Sequence, residues 1–324
     1  LGWGDFAPAG WLARNHPTQV KVVIVGKGVV GARATQMLRD MDITADQVDD
    51  VDHVGSCDVV ILATGGDQHD DAETLLGRGI PVVTTADDPR EVQRLIDLQD
   101  EAAKENVALV VGATAVPGLS GLLARHLATG FDSVDEVHIA VHGTGGPACA
   151  RRHHKSLRGI ALGYQDGEWI KKAAGSGREL CWFPEPIGAR DCYRADLAET
   201  VLLQTVFPQV ERISARRAAT RRDRMTAHLP MLFPPHAEGG IGGIRVEVRG
   251  MRDSTRAVEV LGVAERLATV AGVVAGVFAV VIGQGMISDK GVIIAGMETL
   301  PTAALVRMVM ESGIRVHAFT GSGD

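Results

Sequence analysis

Along the first third of the chain, short apolar runs without alternation are separated by stretches of helical pattern. Residues 20–25 (VKVVIV), 58–64 (DVVILAT), 80–85 (IPVVTT) and 107–112 (VALVVG) have strand length and are rich in β-branched residues. Between them, ARATQMLRDM directly after the first run, residues 71–77 and residues 89–106 read as helices, and a further helix is expected over 117–129. Strands apolar on both faces and spaced by helices predict a parallel sheet covered on each side, a doubly wound α/β domain. One interval is awkward: residues 41–55 look too short and too polar for an ordinary second strand with its crossover.

Beyond residue 130 the texture changes. Residues 134–142 (VDEVHIAVH) alternate, as do 244–249 (IRVEVR), which would pair with 257–263 across a turn at 251–256. Alternation predicts strands with one wet face, hence a second α+β domain containing a mostly antiparallel sheet. Residues 267–283 (LATVAGVVAGVFAVVIG) form an uncharged run of Ala, Gly and Val without an aromatic belt, which favours a buried helix over a membrane span. A strand at 291–296, a helix at 302–312 and a strand at 314–319 follow. The expected division is a dinucleotide-binding domain over 19–130, a substrate-binding and dimerisation domain over 131–283, and a tail over 284–324 that packs back on the first.

Composition narrows the classes. With 45% hydrophobic and 23% charged residues the chain is globular, and its formal charge of −7 argues against a general nucleic-acid binder. Cys57, Cys149, Cys181 and Cys192 form no CxxC pair, so reduced thiols and a cytoplasmic location are expected. The opening LGWGDFAPAGWLARN lacks a basic stretch followed by an apolar run and does not read as a signal peptide.

Gly26-Lys27-Gly28-Val29-Val30-Gly31 is a GxGxxG between a strand and a helix. There the first glycine permits the turn, the second admits a pyrophosphate, the third lets helix and strand pack, and the helix N-terminus attracts phosphate. The placement predicts a Rossmann domain that takes NAD or NADP. Ligands lie outside the carboxyl ends of parallel strands, so Ala63, Thr64, Gly65, Thr85, Gly112 and Ala113 are further candidates for cofactor contacts. Asp46, Asp49, Asp50 and Asp52 lie at the distance of a ribose-binding acid, and the sequence does not choose among them.

Gly112-Ala113-Thr114-Ala115-Val116-Pro117-Gly118-Leu119-Ser120, downstream of the GxGxxG and DVVILAT strands, resembles the saccharopine dehydrogenase family, and His142-Gly143-Thr144-Gly145-Gly146-Pro147 is similar to the next glycine-rich strand end in that family. The resemblance covers residues 20–147 well and the remainder loosely. It implies NAD(P)-dependent hydride transfer at a C–N bond of an amino-acid or imine substrate, with a second domain that closes over the cofactor and often dimerises. The central block GSGRELCWFPEPIGARDCYRAD departs from a saccharopine site, so saccharopine itself is not implied.

That block nevertheless holds polar groups between prolines and glycines. Arg178 is expected as a carboxylate clamp, and Glu179 or Asp191 as an ammonium ligand or proton acceptor. In the Arg151-Arg152-His153-His154-Lys155 segment, His154 or its neighbour His153 is a candidate for proton transfer, and Cys149 stands four residues before His153. Arg216, Arg217, Arg221, Arg222 and Arg224 suit a carboxylate-bearing substrate or internal pairing better than nucleic acid. His228, His236 and Glu238 suggest a rigid loop lining the cleft. No spacing points to a metal. A homodimer is expected, no membrane is, and the second reading is a Rossmann protein that binds nucleotide as a sensor or scaffold without catalysis.

Overall fold

A computed structural model describes residues 20–231 and 238–319. The opening segment and His236 lie outside the described residues. Five strands come first: β1 (Lys21–Val25), β2 (Thr44–Val48), β3 (Val59–Leu62), β4 (Val82–Thr84) and β5 (Ala108–Val111). They alternate with helices α1 (Val29–Asp40), α2 (His69–Gly77), α3 (Pro89–Ile96) and α4 (Gln99–Lys104). The helix expected over 89–106 is thus two short helices, the first capped by Asp88, whose carboxylate accepts the Arg90 and Glu91 N–H groups.

The doubtful interval after α1 does hold a strand. A turn through Asp42, which has positive φ, leads directly into β2, which pairs parallel with β1 from Lys21–Thr44 to Val25–Val48. β2 is the edge of the sheet, and none of its residues is buried. An edge strand needs no continuous apolar run, which is why TADQV carries none.

Helix α5 (Leu119–Ala128) leads into the second sheet: β6 (Ser133–His142), then, after α6 (Pro147–Lys155), β7 (Ile160–Gln165), β8 (Glu168–Ala173), β9 (Glu179–Phe183) and β10 (Gly188–Arg194). Helix α7 (Glu199–Val206), β11 (Arg212–Ala218), α8 (Arg221–Thr226), β12 (Gly242–Arg252) and β13 (Thr255–Glu265) complete it. Its main order is β13-β12-β6-β11-β10-β9, with β7 and β8 extending from β11. Its pairs are antiparallel except β6 with β11. The expected pairing of 244–249 with 257–263 is the middle of the β12–β13 hairpin, whose turn places Asp253 and Ser254 at positive φ.

Helix α9 (Leu267–Gly283) then returns to the first sheet and lies against α1. Gly272 and Gly276 make that approach possible. A Cβ at Gly272 would meet the Arg33 Cβ at 2.6 Å, and one at Gly276 the Met37 Sδ at 2.5 Å. By its packing α9 lies with the first sheet. No helix among the described residues is long and apolar enough to cross a membrane. The tail divides. β14 (Gly291–Ile294) pairs with β5, making a six-stranded parallel sheet in the order β14-β5-β4-β3-β1-β2, while β15 (Val316–Ala318), after α10 (Thr302–Glu311), pairs with β13 of the second sheet.

Candidate functional site

The strand order changes direction at β1 and β3, and the carboxyl ends of these strands open a crevice. Gly26, at φ +110°, begins the turn; a Cβ there would stand 2.7 Å from the Ala63 carbonyl oxygen. Gly28 is different. It is the N-cap of α1, has no side-chain cap, and its absent Cβ would meet only the Ala63 oxygen at 3.8 Å. The first N–H groups of α1 are left without side-chain acceptors beside open space, the arrangement that binds phosphate. From β2, Gln47 Nε2 donates to the Gly26 carbonyl at 2.7 Å and fixes the turn.

A cavity of about 430 Å³ extends from this turn toward the second sheet. Lys27, Gly28, Val29 and Val30 line one end, and Ala63, Thr64 and Gly65 continue the wall from β3. Thr85 and Asp87 follow β4, and Thr114 to Val116 follow β5. Of the expected cofactor contacts, Gly28, Val29, Val30, Ala63, Thr64, Gly65 and Thr85 line the cavity, while Gly26, Gly31, Gly112 and Ala113 stand behind it. The wall fits a dinucleotide by an independent sign: Thr64 Oγ1 is buried yet has no protein partner. Behind the wall, Gln68 braces two strand ends, accepting from the Thr85 N–H at 3.0 Å and donating to the Thr64 carbonyl at 3.1 Å. Its own N–H donates to Glu91 at 2.8 Å. Burial pushes the Glu91 carboxyl up to about 7.

The opposite wall is α6 and the glycine-rich segment before it. Arg152 Nε reaches Asp87 Oδ1 at 2.6 Å, and its Nη1 lies 3.7 Å from Glu91. His153 Nε2 is 3.8 Å from Asp87 Oδ2 and 3.4 Å from Cys149 Sγ. Burial, then Arg217 and Arg152, hold His153 well below the usual imidazole range, so the ring is neutral. Burial, seconded by Asp87, pushes the Cys149 thiol up to about 11, which removes it as a nucleophile at neutral pH. Arg217 donates Nη2 to the Gly143 carbonyl at 2.8 Å, and its Nη1 is buried without a partner.

Asp87, Cys149 and His153 bring potential ligand atoms within 4.8 Å of one another. Arg152 already takes one Asp87 oxygen, however, and two guanidinium groups act on the cluster. That positive field disfavours a divalent cation.

The four residues expected to carry chemistry lie elsewhere. His154, one residue round the helix from His153, turns outward and donates Nε2 to the Thr226 carbonyl at 2.8 Å. Arg178 and Asp191 form a surface ion pair at 2.9 Å, and Glu179 of β9 pairs with Arg216 of β11 at 2.7 Å; none of His154, Arg178, Glu179 and Asp191 lines the cavity. Sequence reading did not single out Asp87, although it stands two residues beyond the flagged Thr85 on the same sheet edge. Asp49 follows β2 directly and binds Lys27, whereas Asp46 sits within the strand and pairs with Lys21 at 3.7 Å, and Asp50 caps a short turn of helix.

A six-stranded parallel sheet with its glycine turn, joined to a mostly antiparallel sheet across a cavity, defines a two-part Rossmann protein. The fold is saccharopine dehydrogenase-like. The apo structure of saccharopine dehydrogenase (L-Glu forming) from Saccharomyces cerevisiae matches with a TM-score of 0.63 at 11% identity, over 93% of this chain and all of that one. DAP dehydrogenase from C. glutamicum, in complex with DAP, matches at 0.51 and 14% identity, over 90% of this chain and 96% of that one. No protein-family model and no curated protein matches the sequence.

Proposed function

We propose that the chain is an NAD(P)-dependent oxidoreductase acting at the C–N bond of a small amino-acid or imine substrate that bears a carboxylate. One observation carries this reading: in a single cavity, the uncapped glycine turn at one end faces a buried neutral histidine beside Arg152 at the other. The dehydrogenases that share the fold support it.

A bound nicotinamide supplies the hydride exchange. The chain's own residues orient, exclude water and move a proton. The α1 N-terminus and the Thr64 hydroxyl hold polar groups of the cofactor, and Val29, Val30 and Val116 keep its surroundings dry. At the far end the neutral His153 imidazole, whose Nε2 lies 3.4 Å from the Cys149 thiol, accepts a proton from substrate nitrogen once the substrate displaces that contact. Asp87, bound by Arg152, lies 3.8 Å from that ring, and Arg151 and Arg152, the guanidinium groups on the cavity wall, can receive a substrate carboxylate.

The test is a titration with NADH and NADPH, following nicotinamide fluorescence, on the parent and on Gly28→Asp. Gly28 has φ −74° and open space where a side chain would begin, so the variant should fold. Its carboxylate would stand against the phosphates. Micromolar binding of at least one cofactor, weakened 100-fold or more in the variant, is expected. If neither cofactor binds the parent, the oxidoreductase reading fails.

A further inference from the structure

We infer that a second cavity, of about 420 Å³, lying back to back with the first, binds a small polyanion bearing carboxylate or phosphate groups and communicates with the first cavity through Arg152. The two cavities share three residues, Asp87, Arg152 and His153, which form the partition between them. The second is enclosed by the start of α3, the end of α6 and the segment before α7. The anion site goes beyond the proposed oxidoreductase reading and does not depend on it, whereas the coupling rests on the first cavity's taking a dinucleotide.

The charge of its lining is unusual in how little of it is paired. Arg90, Lys155 and Arg158 all border the cavity, and among the described residues none of their side chains makes an ion pair. Asp87, Asp88 and Asp196 line it too: Asp87 holds Arg152, and Asp88 accepts backbone N–H groups at the start of α3 while keeping its charge. Asp196 remains, half-buried, with burial and Asp88 raising its carboxyl while Arg90 and Lys155 lower it. Four cations, Arg90, Arg152, Lys155 and Arg158, against three acids leave the lining net positive, and the three cations without ion pairs focus that field on the space they border. A ligand with two or more anionic groups offsets that charge and accepts charge-assisted hydrogen bonds from both guanidinium and ammonium donors.

The partition supplies the coupling. Arg152 is bound to Asp87 and approaches Glu91, so an anion in the second cavity competes with these carboxylates for the guanidinium. Drawing Arg152 outward reduces its field at His153 and frees Asp87, which changes both the charge and the geometry of the first cavity. Whatever factor the anion imposes on dinucleotide affinity, the dinucleotide imposes on the anion.

Calorimetric titration of the full chain with citrate and, separately, with inorganic phosphate, at ionic strength fixed with sodium chloride, tests the site without any dinucleotide. The comparison is the double variant Arg90→Ala/Arg158→Ala; both side chains are exposed and neither lines the first cavity, and a melting curve checks its fold. Submillimolar binding of one probe, weakened tenfold or more in the variant, is expected, and the better probe identifies carboxylate or phosphate as the preferred group. No heat from either probe at 10 mM overturns the proposal. So does equal affinity in the two proteins, which would place the anion at the glycine turn instead. Repeating the NADH titration with the site saturated should change its affinity at least threefold; an unchanged value sinks the coupling while a failed NADH titration alone leaves the calorimetric result standing.

Discussion

Lys27 Nζ lies 2.8 Å from Asp49 Oδ2, joining the glycine turn to the end of β2. Both side chains are largely exposed, so the pair itself adds little to stability, on the order of 0–1 kcal/mol. Its position matters more. A carboxylate at the end of β2 favours a ribose hydroxyl, and an ammonium beside it tempers its repulsion of a phosphate. NADH is therefore expected to bind more tightly than NADPH, and Asp49→Asn should move the ratio of their dissociation constants about tenfold toward NADPH. Parallel fluorescence titrations measure that ratio directly, and an unmoved ratio removes Asp49 from cofactor selection.

The two adjacent histidines of α6 should behave oppositely. Replacing His153 by Gln is expected to lower kcat by about 10²–10⁴, the usual range for a lost acid–base group, once a turning-over substrate is in hand. His154→Gln loses only a hydrogen bond to the Thr226 carbonyl and should leave kcat within twofold. Equal losses in both variants would mean that α6 is merely being disrupted.

Glu199 gives a pH signature of stability. It is fully buried in the first turn of α7, accepts a hydrogen bond from Ser120, and leaves its second oxygen without a partner. Burial pushes its carboxyl from 4.5 up to about 7. Because the folded form holds its proton more tightly than the unfolded chain, stability falls as pH rises from 4.5 to 7 and is flat above that; the sacrifice is on the order of 3 kcal/mol. Glu199→Gln keeps an acceptor for Ser120 and carries no charge. It should gain stability relative to the parent as pH climbs through that window, and chemical denaturation at pH 5 and pH 8 reads the difference. A constant difference at the two values would show that Glu199 does not titrate there.

Gly272→Val places a branched side chain where even a Cβ would meet Arg33 Cβ at 2.6 Å. Overpacking of this kind costs roughly 1–3 kcal/mol and sometimes more. A fall of several degrees in Tm is expected, larger than for the exposed Gly285→Ser, whose site has open space but positive φ. An unshifted melting curve would contradict the close α1–α9 packing.

The doubly wound sheet was legible because its inner strands are buried on both faces, and buried parallel strands cannot hide in a sequence. Edge strands can. β2 escaped because none of TADQV is buried, and with it went the means of choosing Asp49 among four acids. The chemistry was harder to read for a different reason. His153 and His154 share composition, neighbours and local charge, and differ by about 100° of rotation around α6. Only the position of that helix decides which one faces the cavity. Likewise, the polar residues around the β9–β10 ribbon looked like a site because they are concentrated, but in the fold they are engaged locally: Arg178 with Asp191, and Glu179 with Arg216 of β11.

The contact between α1 and α9 also bears on the order of assembly. The helix that presents the glycine turn is held by a segment more than 220 residues later, and β14, the last strand of the same sheet, lies later still. A nascent chain that has been made only as far as residue 130 therefore holds a sheet lacking one edge, with the apolar side of α1 uncovered. Contacts so distant along the chain make folding slow, and a half-made sheet exposes an unpaired strand and apolar surface. The dinucleotide site, though written almost entirely in residues 20–130, should therefore become competent only after residues 267–294 have been made.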